Sequence, residues 1–172
     1  RAISLRVRTP KLECGSDIAF NDGLVILHAS NSHGKSTVVQ SIIYALGLEG
    51  MLSASHDVPL PHVMTDSIDL PDGSKQNVVS SSVAVEIENA DGKIATVYRS
   101  VKGDTSNHLM RVAIGPTLTQ PTAKLQLLDY YVQKSGGETS ERGFHAWFAA
   151  FLGWKLPRVT RVDDRECPLY VE

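Results

Sequence analysis

Nine consecutive residues carry the densest chemistry in this chain: Ala29, Ser30, Asn31, Ser32, His33, Gly34, Lys35, Ser36 and Thr37. They follow the phosphate-loop pattern G-x-x-x-x-G-K-[ST] at every defined position but the first, where Ala29 replaces Gly. Backbone N–H groups of such a loop and of the helix turn after it point at bound phosphate, and the helix dipole adds partial positive charge. Gly34 lets the backbone approach a phosphate oxygen closely. Lys35 is the candidate catalytic residue, a point charge reaching the β- and γ-phosphates. Ser36 is the candidate metal ligand, its hydroxyl offered to Mg²⁺. Ala29 tolerates a positive φ poorly, so the loop either turns there with negative φ or carries slight strain. His33 either touches a phosphate when protonated or faces solvent; an ordinary pKa of about 6.5 leaves it mostly neutral and favours solvent. The competing reading of the whole stretch is a Gly-Lys-Ser-Thr turn with no ligand.

A phosphate loop needs a strand before it and a helix after it. The apolar run from Leu24 to Ala29 predicts a buried strand, and the spacing from Thr37 to Leu48 predicts a helix ended by Gly47 or Gly50. Ahead of them, Ile3 to Arg8 alternates as a half-exposed strand, Lys11 to Phe20 predicts a second strand, and Asn21-Asp22-Gly23 is a turn. Gly50 to Asn77 reads as a long loop. A hairpin follows, with Val83, Val85 and Ile87 alternating, a turn over Asn89-Ala90-Asp91-Gly92 and a return from Ile94 to Val101. Leu109 to Ile114 and Ala123 to Val132 predict further strands of an antiparallel subsheet. Thr139 or Ser140 caps the last expected helix. There Phe144, Trp147, Phe148, Phe151 and Leu152 make one apolar stripe, more in keeping with core than with a cofactor box, and Gly153 stops it.

Composition sets the limits. The chain has 172 residues, 42% hydrophobic and 21% charged, enough for one ordinary domain with its own core. A net charge of −2 gives no global electrostatic case for nucleic acid. Arg1, Arg6, Arg8 and Lys11 cluster near Glu13, either as a solvated strand face or as a DNA-facing patch. Cys14 and Cys167 match no metal spacing and fit a reduced, cytoplasmic protein. His56 and His62 are weak metal ligands by spacing. No apolar run approaches the roughly 20 residues that span a bilayer, and no signal peptide is evident. The first residue is not Met, and the end at Glu172 carries no stop signal, so a piece of a longer chain is expected.

Two leading strands, the Phe20-Asn21-Asp22-Gly23-Leu24 turn, the Asn31-to-Thr37 loop and the hairpin after a long loop are specific as a set. With Ile42-Ile43-Tyr44-Ala45-Leu46-Gly47-Leu48 and Tyr98-Arg99-Ser100-Val101, the chain resembles the N-terminal lobe of an ABC-type ATPase head. Within that group it is similar to the SMC/RecN/RecF-type ATPases of chromosome maintenance and double-strand-break repair. The resemblance covers residues 1–115 well and the remainder loosely. The run from Gly143 to Pro157 resembles SMC-like ATPases of prokaryotic defence systems.

The resemblance implies an α/β P-loop NTPase fold with an antiparallel β subsheet. It divides the chain into leading strands, P-loop and helix (1–50), a long loop (51–77), an antiparallel region (78–134), and a helix with a tail (135–172). It implies ATP and Mg²⁺ as cofactors, with hydrolysis only in the complete assembly. Its implied partners are a second head, a C-terminal lobe of the same polypeptide joined through a coiled coil, DNA, and accessory subunits; no membrane is implied. Arg8 and Thr9 lie where the base or ribose is approached in relatives, against the plainer reading of a surface Arg and a strand-end Thr. Arg99 lies near the nucleotide or a DNA-facing surface in relatives, though a structural salt bridge is the better reading. A signature motif and a Walker B acid are not recognisable. Asp163-Asp164 reads as a surface loop, and neither Gln126 nor Gln133 sits in a context for the metal-linked Gln. Two other functions compete. One is a stand-alone P-loop phosphotransferase, with Arg158, Arg161 and Arg165 and the 50–77 loop as a lid. The other is a non-catalytic, nucleotide-gated interaction module.

Overall fold

A computed structural model of the chain describes residues 1–30, 34–52, 59–70, 72–120, 126–132, 143–155, 157–160 and 166–168. Its centre is a six-stranded antiparallel sheet in the order β2-β1-β5-β6-β7-β8. The strands are β1 (Ala2–Arg8), β2 (Glu13–Ala19), β5 (Ser80–Glu88), β6 (Ile94–Lys102), β7 (Leu109–Ile114) and β8 (Gln126–Tyr131). The two leading strands therefore join the later hairpins in one continuous sheet.

Alternation assigns the two faces. Ile3, Leu5 and Val7 pair across to Val85, Val83 and Ser81, and Val85 pairs with Val97, which pairs with Val112. These apolar positions share the face that carries the helices. The opposite face receives Arg6, Arg8, Asp17, Ser82, Tyr98, Arg111 and Asp129, and two exposed ion pairs form on it, Arg6–Asp17 at 2.8 Å and Arg111–Asp129 at 3.1 Å. An antiparallel sheet with one packed and one wet face has this pattern. The basic patch near the N-terminus is thereby partly neutralised, since Asp17 holds Arg6 and Glu86 and Glu88 hold Arg1.

Three helices cover the apolar face: α1 (Lys35–Ala45), α2 (His62–Thr65) and α3 (Phe144–Leu152). Val38, Tyr44 and Ala45 of α1, with Leu60 and Met64, pack on β1 and β5 in one core cluster. Phe144 and Phe148 of α3, with Val132, pack on Ala95, Val97, Met110 and Val112 in a second; Ile87 touches both. Fully burying each Val, Leu, Met or Phe among these contributes roughly 1.5–3 kcal/mol.

The β5–β6 turn forms where Asn-Ala-Asp-Gly stands. Asn89 Oδ1 accepts N–H bonds from Asp91 (3.0 Å) and Lys93 (2.9 Å), and Gly92 adopts φ 75°. The Asn89 amide also donates to the Phe151 carbonyl at 2.7 Å, tying the turn to the end of α3. Within the expected 50–77 loop, the described residues hold a 3-10 turn (Glu49–Met51), α2, and a short hairpin of β3 (Ser67–Asp69) with β4 (Lys75–Asn77). Near the end, β9 (Arg158–Thr160) pairs with β10 (Glu166–Pro168).

Three expectations are revised or fall elsewhere. The run from Leu24 to Ala29 is not a strand: it has no ladder partner among the described residues, with Leu24 89% and Ile26 77% exposed. Apolar β-type residues make a strand only when another strand supplies the ladder, and none of the described strands lies beside this segment. The last helix is capped by Gly143, with no side-chain capping bond. Thr139, Ser140, Gln133, His56, Arg161, Asp163, Asp164 and Arg165 lie outside the described residues.

Candidate phosphate-binding site

The site is built at the start of α1. Gly34 is the residue preceding the helix and adopts φ 79°, ψ 11°, the left-handed region. A Cβ there would meet no atom of the described residues within 4 Å, and the left-handed φ is what calls for glycine. The Gly34 carbonyl accepts the first helical bond, from the Val38 N–H at 3.0 Å. No side chain caps this helix end and no acidic residue lies in the first turn. Among the described residues the partial positive charge of the N-terminus is thus left without an anion.

Lys35 deepens that imbalance. It sits in the first turn, where a cation is disfavoured by the helix dipole. Its ammonium folds back and donates to the Ala29 carbonyl at 2.6 Å and the Ser30 carbonyl at 2.8 Å. These two bonds close the loop from residues 29 and 30 to residue 35. An ammonium has three N–H donors, so one remains for an oxyanion. Ser36 is exposed beside it and Thr37 is half-buried. Asn31, Ser32 and His33 lie outside the described residues. Among the described residues no group of three or more His, Cys, Asp or Glu side chains is arranged to hold a metal. The donors at 34–37 are of the kind a phosphate requires, with a hydroxyl at hand for a phosphate-bound cation, so the residues present are chemically compatible with ATP–Mg²⁺.

Arg8 and Thr9 stand at the far end of β1. Arg8 is exposed and makes no ion pair among the described residues. Thr9 is buried, and its hydroxyl is committed to the β1–β2 turn: it donates to the Leu12 carbonyl at 3.1 Å and accepts from the Leu12 N–H at 3.0 Å. That is a local hydroxyl turn. Leu27, on the way into the phosphate loop, packs against the same core cluster as Val7.

The far end of α1 is fixed by Arg99, which the sequence reading placed in a structural salt bridge. Its guanidinium bonds the Glu49 carboxylate twice, at 2.6 and 2.9 Å, and donates to the carbonyls of Tyr44 (2.5 Å) and Asn107 (2.7 Å). It also lies 3.9 Å above the centroid of the Tyr44 ring, a cation–π contact. The Tyr44 hydroxyl donates to the Ser100 carbonyl at 2.7 Å, and burial pushes its pKa up to about 12. Burial also raises the Glu49 carboxyl, but the Arg99 bonds and charge outweigh it and hold Glu49 below its ordinary value. Gly47 then turns the chain out of α1 with φ 70°. A Cβ on it would lie 3.1 Å from His145 Nε2 and 3.2 Å from Val132 Cγ2, and its carbonyl is 2.8 Å from His145 Nε2. The candidate phosphate loop therefore stands at one end of a helix whose other end is keyed to β6 and α3.

Glu86 gave no signal in the sequence, where it stands at an outward position of a half-exposed strand. Its carboxylate is fully buried and accepts the N–H groups of Thr117, Leu118 and Thr119.

Comparison with protein-family models, curated proteins and solved structures found no match for this chain. The residues themselves carry the functional argument.

Proposed function

We propose that this chain is the ATP-binding half of an SMC-like ABC ATPase head that dimerises on ATP and hydrolyses it to drive DNA clamping, repair or anti-phage DNA sensing. The observation that carries the reading is Lys35. It is an ammonium held on two loop carbonyls at a helix start that has a left-handed Gly34 and, among the described residues, no side-chain cap and no counter-anion. Lys35, Ser36 and the first-turn N–H groups would hold ATP–Mg²⁺, which would supply the transferable γ-phosphoryl group. Lys35 neutralises phosphate charge with its third N–H, the N–H groups of the first turn orient the phosphates, and Ser36 presents its hydroxyl to the cation. Arg8 and Thr9 frame the base or ribose side in this reading, Thr9 through its backbone since its hydroxyl is engaged.

Exposed apolar positions on α1 and before the loop support an ABC-type head over a stand-alone phosphotransferase. From Val38 to Leu48, α1 and the residues after it are mostly apolar, with Gln40 and Ser41 the polar side chains. The antiparallel sheet covers the side of Val38, Ser41 and Tyr44, while Val39 stays 47% exposed. Leu24 and Ile26 are exposed in the segment that leads to the loop. A second layer from the C-terminal lobe of the same polypeptide would give this segment its missing strand neighbour and cover the outer side of α1. That lobe and a second head would also bring the acid that activates water, so this chain alone binds nucleotide weakly and turns over almost none. DNA and accessory subunits would then engage the dimer, and no membrane contact is part of the reading.

The test is a titration of a fluorescent ATP analogue with Mg²⁺ against the chain and its Lys35→Ala variant. The variant should bind at least about tenfold more weakly, a loss of ~1.4 kcal/mol or more. Equal affinity in the two proteins would remove the site.

A further inference from the structure

We propose that residues 115–120 form a strap that is latched across the wet face of the sheet by one carboxylate, that of Glu86, and that opens as a unit while the rest of the fold stays intact.

The strap leaves β7 and turns back over its own sheet. The Gly115 N–H donates to the Ile94 carbonyl at 2.9 Å, and the Gly115 carbonyl accepts from the Thr96 hydroxyl at 3.2 Å. Over β6, Thr117 Oγ1 and the Tyr98 hydroxyl share a 2.5 Å hydrogen bond. Over β5, Glu86 Oε2 accepts three successive backbone N–H groups, from Thr117 and Leu118 at 2.9 Å and Thr119 at 3.1 Å. Oε1 accepts the Thr119 hydroxyl at 2.5 Å and Arg1 Nε at 3.3 Å. Successive N–H groups converging on one oxygen make an anion nest, and here the anion belongs to the chain itself.

The register shows what the strap covers. Ala2 pairs with Glu86, Glu86 with Thr96, and Thr96 with Ala113, a single row across β1, β5, β6 and β7. Every member is buried, although the row lies on the face that elsewhere carries exposed Arg6 and Arg111. The strap does that burying with small and polar residues. Leu118 is its one large apolar side chain and is only half-buried. Burial of large apolar side chains is therefore slight, and hydrogen bonds carry much of the hold, four of them to one ionised group, which are the strong kind. Segments with few buried apolar contacts open at lower cost than the strands beneath them. Opening uncovers the row and frees the nest, and it leaves the helix-covered face untouched.

Hydrogen exchange on the full polypeptide tests this. In native protein at low urea, amides in peptides covering 115–120 should exchange at rates independent of urea, while peptides covering 95–102 follow the global unfolding slope. In Glu86→Gln, which keeps the shape and loses the charge, exchange at 115–120 should rise about tenfold or more with 95–102 unchanged. Strap amides that follow the same urea slope as 95–102 would overturn the proposal, as would strap exchange unaltered in Glu86→Gln. If that variant does not fold, the urea dependence of the wild-type protein decides by itself.

Discussion

Arg99 brings a guanidinium to a place where only 3% of its surface meets solvent, and four acceptor contacts and an aromatic ring receive it there. Removing one partner of such a pair leaves the other charged and unpaired, which is what makes buried pairs costly to break. Arg99→Ala should lower unfolding stability by about 3–5 kcal/mol in urea denaturation, the range for an uncompensated buried charge. Its partner sets the acid response. Glu49 titrates lower in the fold than its ordinary value near 4.5, so the unfolded chain takes up more protons as the solution is acidified. The Glu49 contribution is therefore complete above that ordinary value and is lost as pH falls through the lowered one. Glu86 acts in the same direction: burial raises its carboxyl, and the Thr119, Leu118 and Thr117 donors more than reverse this. Urea midpoints should be flat near neutrality and drop on acidification below about pH 5, and the drop should be shallower in Glu49→Gln. A drop of equal size in the variant would show that Glu49 is not a source of it. Ser41 is the opposite case, a fully buried hydroxyl on α1 with no hydrogen-bond partner among the described residues.

At the scale of elements, α1 is positioned from both ends. Its start is closed by Lys35 on the loop carbonyls, and its finish is turned by Gly47 against α3. Gly47→Ala would force a left-handed φ on an L side chain, at roughly 1–2 kcal/mol, and would push its Cβ against His145 and Val132. A stability loss of about 2 kcal/mol or more in denaturant titration is expected, with the α1–α3 junction shifted. A loss well under 1 kcal/mol would mean that the junction gives way freely. The sequence disclosed this helix, its Gly stop and the β5–β6 turn because the signals are local: helical spacing, a left-handed glycine, an Asn side chain that bonds its own turn. The strands were legible for the same reason, since Ile3, Leu5 and Val7, or Val83, Val85 and Ile87, alternate within a few residues. Leu24 to Ala29 was misread because a strand is not a property of one segment. Its apolar content is there, but the ladder must come from a neighbour.

Across the whole molecule, one sheet joins strands that the sequence separates by the phosphate loop, α1 and the 51–77 segment. The described helices cover one of its faces, and the approach to the candidate phosphate loop is exposed where Leu24 and Ile26 stand. Ile26→Asp should therefore change the stability of this chain by no more than about 0.5 kcal/mol, as for an ordinary surface site. A loss of several kcal/mol would place Ile26 in a core of this chain and remove the argument for a second layer. No described helix is long and apolar enough to cross a membrane. The sequence by itself determined the helix that starts at Lys35, the flanking strands of the sheet and their polarity pattern, because each depends on side chains a few positions apart. The tertiary structure alone decided that Arg99 clamps α1, that Glu86 is buried under three N–H groups, and that the run before the loop stands unpaired. Those outcomes depend on partners 50, 31 and more residues away, or on strands beside which the segment would have to lie.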